Sequence, residues 1–409
     1  MIKYDCIERM IYMSRAIGTI VRGLRTPIFH EHDDLVEQLP QILIEASKQG
    51  NFEIKDRDVL AITESIVART QGNYASIDDI TNDLKSQLKG HKTLGITFPI
   101  LSRNRFSSLL RGFARAVDEV IIQLSYPADE VGNHLFNADM LFDANVNPWQ
   151  DVLNEEQFLN TFGKSKHQFT GMDYISFYKQ IVEEEGATCK FVFANDVREI
   201  LNHTKVVLTS DIHTRNQSKQ LLIKHGGELI LGLDDILCKP TDQHGYNPEY
   251  GLLGSNKASD TSIKLFPRDS QPLVDKLAQR IYELTNKKVE VMIYGDGAFK
   301  DPVGRIWELA DPVVSPAYTP GLKGTPHELK LKYLADNEYS HLSESQQQQA
   351  IKDRLKRKEV KDESDAAVGT TPRQITDLLG SLADLTSGSG DKGTPIVYIQ
   401  GYFDNFAEN

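Results

Sequence analysis

Residues 291–312, VMIYGDGAFKDPVGRIWELADP, run from an apolar stretch of strand character into a loop rich in Gly, Asp and Pro. Gly295 and Gly297 let the backbone approach a ligand closely, and Asp296 leaves the strand at its carboxyl end, where α/β folds usually build sites. A carboxylate there suits Mg²⁺ or Mn²⁺, because these ions take hard oxygen ligands. A ligand-free Asx turn, with the following Asp-Pro pair shaping the loop, explains the same residues. The stretch therefore predicts an α/β fold and leaves its loop open between a metal site and a turn.

The composition of the 409-residue chain is that of a large soluble protein with two or three domains. A net charge of -12 argues against nucleic-acid binding, which needs clustered Lys and Arg. The apolar runs are far shorter than the roughly 20 residues that span a bilayer, so we expect no membrane insertion. Cys6, Cys189 and Cys238 show no disulfide or metal-ligand spacing, which fits a reducing cytoplasm. The N-terminus is a poor signal peptide, and Met13 is as good a candidate start as Met1.

Strands and helices alternate along most of the chain, which predicts a mixed α/β (α+β) fold. A first α/β part ends near residue 139, and residues 140–285 form a second segment with three strand-like runs, KFVFAN, KVVLTSD and GELILGL. DVLAITESIV, residues 58–67, is predicted as one strand, and the charged stretch 342–365 as an exposed helix or linker. A helix, a Gly-rich loop and a strand, IVYIQGYF, complete the chain.

A second acidic loop, YPADEVGNHLF, follows another predicted strand and offers Asp129, Glu130 and Asn133. Two carboxylates and an amide there suit a divalent cation that bridges phosphates, as in phosphoryl-transfer sites. A solvated acidic turn is the alternative. Two such loops in one chain favour the metal site.

Basic residues lie beside two predicted strand ends. Arg22, just before the segment GLRTPIFHEHDD, and Arg25 within it offer fixed donors to a phosphate or carboxylate, or are surface charges beside a helix capped by Asp33. The run FPILSRNRFSSLLRG carries arginines that suit an anionic substrate, or an exposed basic face after a cap at Ser102. In TSDIHTR, Asp211 and His213 are candidate ligands or an acid/base pair, and a helix cap at Asp211 is the alternative.

The segment GSGDKG, residues 388–393, has the glycine spacing of the dinucleotide-binding motif. That motif follows a strand and begins a helix, whereas this segment follows a predicted helix and precedes a predicted strand. Its backbone N–H groups can still bind phosphates. No Gly-x-Ser-x-Gly motif is present, so nucleophilic catalysis is disfavoured.

Taken in order, these segments resemble the γ-glutamyl ligase family that adds glutamate to the deazaflavin coenzyme F420. GLRTPIFHEHDDLVEQL is similar to its phosphate-binding turn, DVLAITESIVARTQGNY to its next strand and turn, and ADEVGN to its Asp-x-x-Asn loop. GDGAFKDPVGR is similar to its second metal loop, and ITDLLGSLADLTSGSGDKGTPIVYIQGY to its C-terminal helix, glycine loop and strand. Residues 140–285 have no counterpart among these motifs and are interpreted as a large insertion.

The resemblance implies a GTP- or ATP-dependent ligase that activates a carboxylate as an acyl phosphate and joins it to L-glutamate. It implies Asp296 and Asp129 as catalytic metal ligands for Mg²⁺ or Mn²⁺, with Glu130 competing for the second position. The implied nucleotide contacts are Arg25, Thr26, Pro27, Ile28, Thr63, Ser65, Asn133, Ser387, Gly388, Ser389, Gly390, Asp391, Lys392, Gly393 and Thr394. Gly297 and Ser389 depart from the family pattern, which has Thr and Gln there.

The ligase core then comprises residues 13–139, 286–341 and 366–409, interrupted by the insertion and by the charged stretch 342–365. The resemblance further implies a cytoplasmic homodimer. The acceptor is F420-0, a folate-like compound or another small-molecule carboxylate. Two other classes fit the same loops: a metal-dependent nucleotide phosphohydrolase, and a non-catalytic nucleotide-binding module.

Overall fold

The protein is described here by a computed structural model. The structure describes residues 16–164, 166, 171–240, 244–295, 315–357, 366–367, 374–387 and 391–407, and the backbone of 298–300 and 307–309. None of the helices in these ranges has both the length and the apolar character needed to cross a membrane.

The strands are numbered in chain order. They are β1 Ile20–Leu24, β2 Val59–Thr63, β3 Tyr74–Ser76, β4 Thr93–Thr97, β5 Glu119–Leu124, β6 Leu153–Asn154, β7 Thr188–Phe193, β8 Val206–Thr209, β9 Leu229–Gly232, β10 Asn256–Lys257, β11 Ser262–Lys264, β12 Glu290–Tyr294, β13 Ala298–Lys300, β14 Trp307–Leu309, β15 Ala317–Tyr318 and β16 Ile396–Gln400.

The α-helices are α1 Leu35–Gln49, α2 Glu64–Thr70, α3 Ile77–Leu88, α4 Phe106–Ala114, α5 Met140–Ala144, α6 Glu155–Phe162, α7 Tyr174–Glu184, α8 Arg215–Lys224, α9 Ser270–Thr285, α10 Leu331–Tyr333, α11 Glu344–Lys356 and α12 Ile375–Ser387. Short 3-10 helices cover Val197–Asn202, Leu233–Asp235 and Pro320–Leu322, and a π-helical turn covers Leu334–Glu338.

A five-stranded sheet with the order β1-β16-β2-β12-β15 joins the two ends of the described chain. Its central strands β2 and β12 are parallel, and Thr63 pairs with Tyr294 at their carboxyl ends. Alternate strand residues face opposite sides. One side packs on the apolar faces of α1 and α9, and the other on α12. The sheet is therefore the middle layer of three. The carboxyl ends of β2 and β12 lie side by side at one end of the sheet.

A six-stranded sheet with the order β6-β7-β5-β4-β8-β9 lies between α3, α4 and α7 on one face and α8 with the 197–202 helix on the other. All its strands except β6 run parallel. The chain moves outward from β4 through β5 to β7, then returns to β8 on the other side of β4. Side chains that follow β4, β5 and β8 therefore meet at one carboxyl edge.

The predicted mixed α/β class is confirmed. Strands β4 and β5, from the predicted first part, share their sheet with β7, β8 and β9 from residues 140–285. The proposed division near residue 139 thus falls between strands of a single sheet. A small sheet, β10-β11-β3, connects this region to the end of α2.

Two local predictions need correction. The strand expected over residues 58–67 ends at Thr63, and α2 begins at Glu64 because Thr63 is the N-cap and its hydroxyl accepts from the Ser65 N–H. Helix α1 is capped by Asp34, whose carboxylate accepts from two backbone N–H groups, whereas Asp33 accepts from His30.

Candidate functional site

Several of the residues predicted to contact a nucleotide lie together where β2 and β12 end. The Thr26 N–H donates to the Gly393 carbonyl at 3.2 Å, and the Thr63 N–H donates to the Pro395 carbonyl at 3.0 Å. The turn that follows β1, the end of β2 and the loop that precedes β16 therefore lie side by side. We call this group of loops the β2–β12 edge.

Close packing between β1 and the last loop fixes this arrangement. The Thr394 hydroxyl donates to the Ser387 carbonyl at 2.8 Å, which closes the loop between α12 and β16. A Cβ at Gly23 would lie 3.1 Å from the Thr394 Cβ, so glycine allows the Thr394 side chain to lie against β1. Gly393, with φ of 66°, adopts the left-handed conformation that suits glycine.

Two unpaired cations lie at this edge. Arg25 and Lys392 are both exposed, and within the described residues neither side chain makes an ion pair or a hydrogen bond. Arg22, in contrast, bonds Gln400 and lies 4.2 Å from the Phe52 ring, so it is a packing residue. Arg25 and Lys392 are thus free to meet an anionic ligand.

The remaining predicted contacts at this edge differ in exposure. Pro27 and Ile28 are exposed, with Ile28 77% exposed, and Thr26, Thr63 and Ser65 are half-buried. Ser387 is buried, and Asp391 is exposed. Gly388, Ser389 and Gly390 lie outside the described residues.

Asp296 is the second residue after β12, whose last residue, Tyr294, pairs with Thr63. Asp296 itself, with Gly297, Asp301 and Arg305, lies outside the described residues, and its metal-binding role stays a prediction. Burial of the last β12 side chain, Tyr294, raises its pKa to about 12.

A buried ion pair beside this edge was missed by the sequence reasoning. Lys264 Nζ on β11 lies 2.7 and 2.8 Å from the two carboxylate oxygens of Glu64, the residue after Thr63. The side chains are only 11% and 6% exposed. A lysine inside the short apolar run SIKLF was the available signal, since a buried lysine requires a partner. This pair connects the small sheet to the β2–β12 edge.

Asp129 and Asn133 form a closed hydrogen-bond network. Asp129 Oδ1 accepts from the N–H groups of Val131 and Asn133, and Oδ2 accepts from the Leu101 N–H and the Asn133 side-chain amide, at 2.8 to 3.1 Å. Burial raises the pKa of Asp129, and the same donors offset part of that rise. The four donors satisfy the Asp129 carboxylate within its own loop, which Asn133 helps to close, and its metal-binding role stays a prediction.

Glu130 also has a structural role. Its two carboxylate oxygens accept from the N–H groups of Ile212 and His213, at 2.5 and 3.1 Å, which fixes the loop after β8. Asp211 in that loop is fully buried, and its Oδ2 accepts from the hydroxyls of Thr214 and Ser218. Asp211 therefore anchors the start of α8 through hydroxyl groups, close to the predicted capping role.

The 129–133 loop belongs to the edge of the other sheet. Within the described residues, no hydrogen bond or ion pair joins it to the β2–β12 edge, and no cluster of three or more His, Cys, Asp or Glu side chains could hold a metal ion. The structure thus assembles the predicted phosphate contacts and places Asp129, Glu130 and Asn133 elsewhere.

Comparison with known proteins gives one family match. The model of the family described as F420-0:Gamma-glutamyl ligase matches residues 23–401, a range that includes residues 140–285. No curated protein matches the chain.

Proposed function

Because the chain belongs to the F420-0:gamma-glutamyl ligase family, we propose that it is a GTP- or ATP-dependent enzyme that joins L-glutamate to a small-molecule carboxylate. The family match supports γ-glutamyl ligase activity. The nucleotide, the metal ion and the acyl-phosphate route are our proposal. The observation that carries it is the meeting of the 25–28 turn, the end of β2 and the 391–394 loop at one edge, with two unpaired cations.

The proposed chemistry explains why the edge needs those cations. A carboxylate and an amine do not condense in water unless the carboxylate is first activated. Transfer of the γ-phosphoryl group gives an acyl phosphate, the glutamate amine attacks its carbonyl carbon, and inorganic phosphate leaves. Negative charge on the transferring phosphoryl group favours fixed cationic donors, and Arg25 and Lys392 are placed to supply them.

Backbone groups position the nucleotide in this proposal. The exposed 25–28 turn and the 391–394 loop are held together by the Thr26–Gly393 hydrogen bond, so their relative positions are set before a ligand arrives. Preorganised contacts of this kind lower the ordering cost of binding. Thr63 and Ser65 lie next to this loop pair, at the end of β2.

Divalent-cation dependence is also proposed, with Asp296 as the ligand residue; Mg²⁺ or Mn²⁺ would neutralise phosphate charge there. Asp129 and Glu130 have their carboxylates bound by N–H groups, so we assign neither to the ion. We further propose that the protein is a cytoplasmic homodimer. Sedimentation measurements on the purified protein would test whether it forms a dimer.

The test is whether nucleotide turnover depends on glutamate. Purified protein is incubated with GTP or ATP, Mn²⁺ or Mg²⁺ and a small-molecule extract of its source cells from which glutamate has been removed, with and without added L-glutamate, and phosphate release is measured. A ligase releases phosphate only when glutamate is present. Equal release without glutamate would instead show a phosphohydrolase, and nucleotide binding without release would show a binding module.

Matched variants connect that activity to the β2–β12 edge. We expect Arg25→Gln and Asp296→Asn to lose most of the turnover with unchanged circular dichroism. Arg198→Gln, which removes an arginine paired with Asp196 on the far sheet, is the control and should retain it. Full turnover in Asp296→Asn would overturn the assignment of the ion to that residue.

A further inference from the structure

A cavity lies on the face of the six-stranded sheet that α3, α4 and α7 cover, away from the β2–β12 edge. It is a partly open cavity with a volume of about 520 Å³, lined by residues of α4, α7, the start of α3 and the β10–β11 hairpin. Small-molecule sites in proteins typically measure about 300 to 1,000 Å³. The cavity is therefore large enough for a metabolite.

Cationic side chains are concentrated around this cavity, on a chain whose net charge is -12. Four cationic side chains line it, Arg103, Arg111, Arg115 and Lys257, against two carboxylates, Glu185 and Asp260. A cluster of cationic side chains on an acidic protein favours an anionic ligand.

One buried carboxylate holds two of the arginines side by side. Glu185, 11% exposed, accepts from Arg111 at 2.9 Å and from Arg115 at 2.5 Å. Their second partners, Glu184 and Asp78, do not line the cavity and are 44% and 75% exposed. Each guanidinium group is thus fixed in position between Glu185 and a more exposed carboxylate, and exposed ion pairs of the second kind hold their partners weakly.

The other two cations are more available. Arg103 is exposed, and within the described residues its side chain makes no ion pair or hydrogen bond. Lys257 pairs with Asp260 at 2.7 Å, but Asp260 is 93% exposed, and such surface pairs hold their partners weakly. Arg105 Nε bonds Asn256 Oδ1 at 2.8 Å and so fastens the strand that carries Lys257 to the start of α4.

Apolar and hydroxyl groups complete the lining. Ile77, Phe177 and Ile181 supply apolar surface, and Ser107 and Ser108 lie on the α4 side. We propose that this cavity binds an organic dianion, a molecule with two carboxylate or phosphate charges on an apolar or aromatic body. Its charges meet Arg103 and Lys257 as well as the arginine pair, and its body packs on Phe177.

One short strand connects the lining of the cavity to the β2–β12 edge. Thr261 lines the cavity, and Lys264, three residues later along β11, pairs with Glu64 beside the edge. At about 3.3 Å per residue, the backbone of these two residues is separated by roughly 10 Å. The dianion is then either the acceptor of the ligation, which rests on the proposed function, or a separate effector.

The direct test uses phenyl phosphate as the probe in isothermal titration calorimetry. Arg103→Gln/Lys257→Gln removes two cavity cations, and the matched control Lys190→Gln/Arg198→Gln removes two cations that do not line the cavity. Since a hydrogen bond to a charged group contributes substantially to binding, we expect at least about tenfold weaker binding in the cavity variant and unchanged binding in the control. Benzoate, with one charge, should bind more weakly than phenyl phosphate. Equal binding by both variants, or no saturable binding by the wild type, overturns the proposal.

Turnover kinetics then identify the source of the dianion. If it is the acceptor, the cavity variant raises the acceptor KM with little change in kcat. If it is an effector, the acceptor KM is unchanged although phenyl phosphate binding is lost. The binding measurement requires no catalysis, so absence of ligase activity would refute the proposed function and leave this proposal intact.

Discussion

Replacing Lys264 by Met tests the buried ion pair beside the β2–β12 edge. Both partners are nearly enclosed, at 11% and 6% exposed, and the lysine contacts both Glu64 oxygens within 2.8 Å. Met has similar length but no charge, so the variant removes the ion pair that Lys264 makes with the buried Glu64 carboxylate. Breaking a buried pair in this way costs about 3–5 kcal/mol.

The assay is urea denaturation of Lys264→Met, Glu64→Gln and the double variant. We expect the double variant to be more stable than the sum of the two single losses predicts, with a coupling of at least about 1 kcal/mol. Lys92→Met is the control, because its pair with Asp118 is 3.4 Å long and about 70% exposed on both sides. That change should cost at most about 1 kcal/mol.

Two results would refute this reasoning. Lys264→Met could cost no more than Lys92→Met, or the two single losses could add without coupling. In either case the pair would contribute little, and the small sheet would be held to α2 by other contacts.

Three other changes have defined outcomes. Asp129→Asn must present an amide NH₂ to two N–H donors whichever way it is turned, so we expect a loss of about 3 kcal/mol or more in urea denaturation; an unchanged stability would contradict its structural role. Burial raises the pKa of Asp211, so the folded state holds the proton of this carboxyl more tightly than the unfolded state does. The free energy of unfolding therefore falls as the pH rises from the ordinary Asp pKa of 3.8 through the raised pKa of the folded state. Asp211→Asn keeps acceptors for Thr214 and Ser218 and removes the charge, so it should be more stable than wild type at pH 7 and lose that pH dependence, as thermal unfolding at several pH values would show. Arg25→Gln should raise the nucleotide Kd about tenfold, with a weaker salt dependence than wild type, in calorimetric titrations.

The sequence predicted the secondary structure well where apolar periodicity was strong. The run SIDDITNDLKSQL predicts a helix capped by Ser76, and it forms α3, which begins at Ile77 with a full capping box. The run SQPLVDKLAQRIYELTN predicts another helix, and it forms α9. The charged stretch after residue 342 contains α11, but Ile351 and Leu355 are buried, so that helix packs against the protein instead of standing in solvent.

Sheet membership was not predictable from the same patterns. β4 and β5 read as a continuation of the first part, because local periodicity carries no information about which distant strand will pair. The structure pairs β5 with β7 and β4 with β8. The choice of partner strand is decided by long-range packing, which a single sequence does not record.

The residues predicted to form the site lie in two separate places, for a physical reason. Residues 25–28, Thr63 and Thr394 converge because each lies at a strand end on one sheet edge, which motif order could indicate. Asp129 was predicted as a ligand from its residue type and loop, but an Asp followed by Gly and Asn also closes an Asx-type network on itself. Only the positions of the four N–H donors show that the network is satisfied internally.

The central claim is that the chain joins glutamate to a carboxylate at the expense of a nucleotide. The most direct measurement incubates the purified protein with GTP or ATP, Mn²⁺ or Mg²⁺, L-glutamate and a small-molecule extract of its source cells, and searches by mass spectrometry for products heavier by one glutamyl residue. The account predicts such a product, formed only with nucleotide present and absent with Asp296→Asn. Nucleotide consumed without any glutamyl adduct would contradict it.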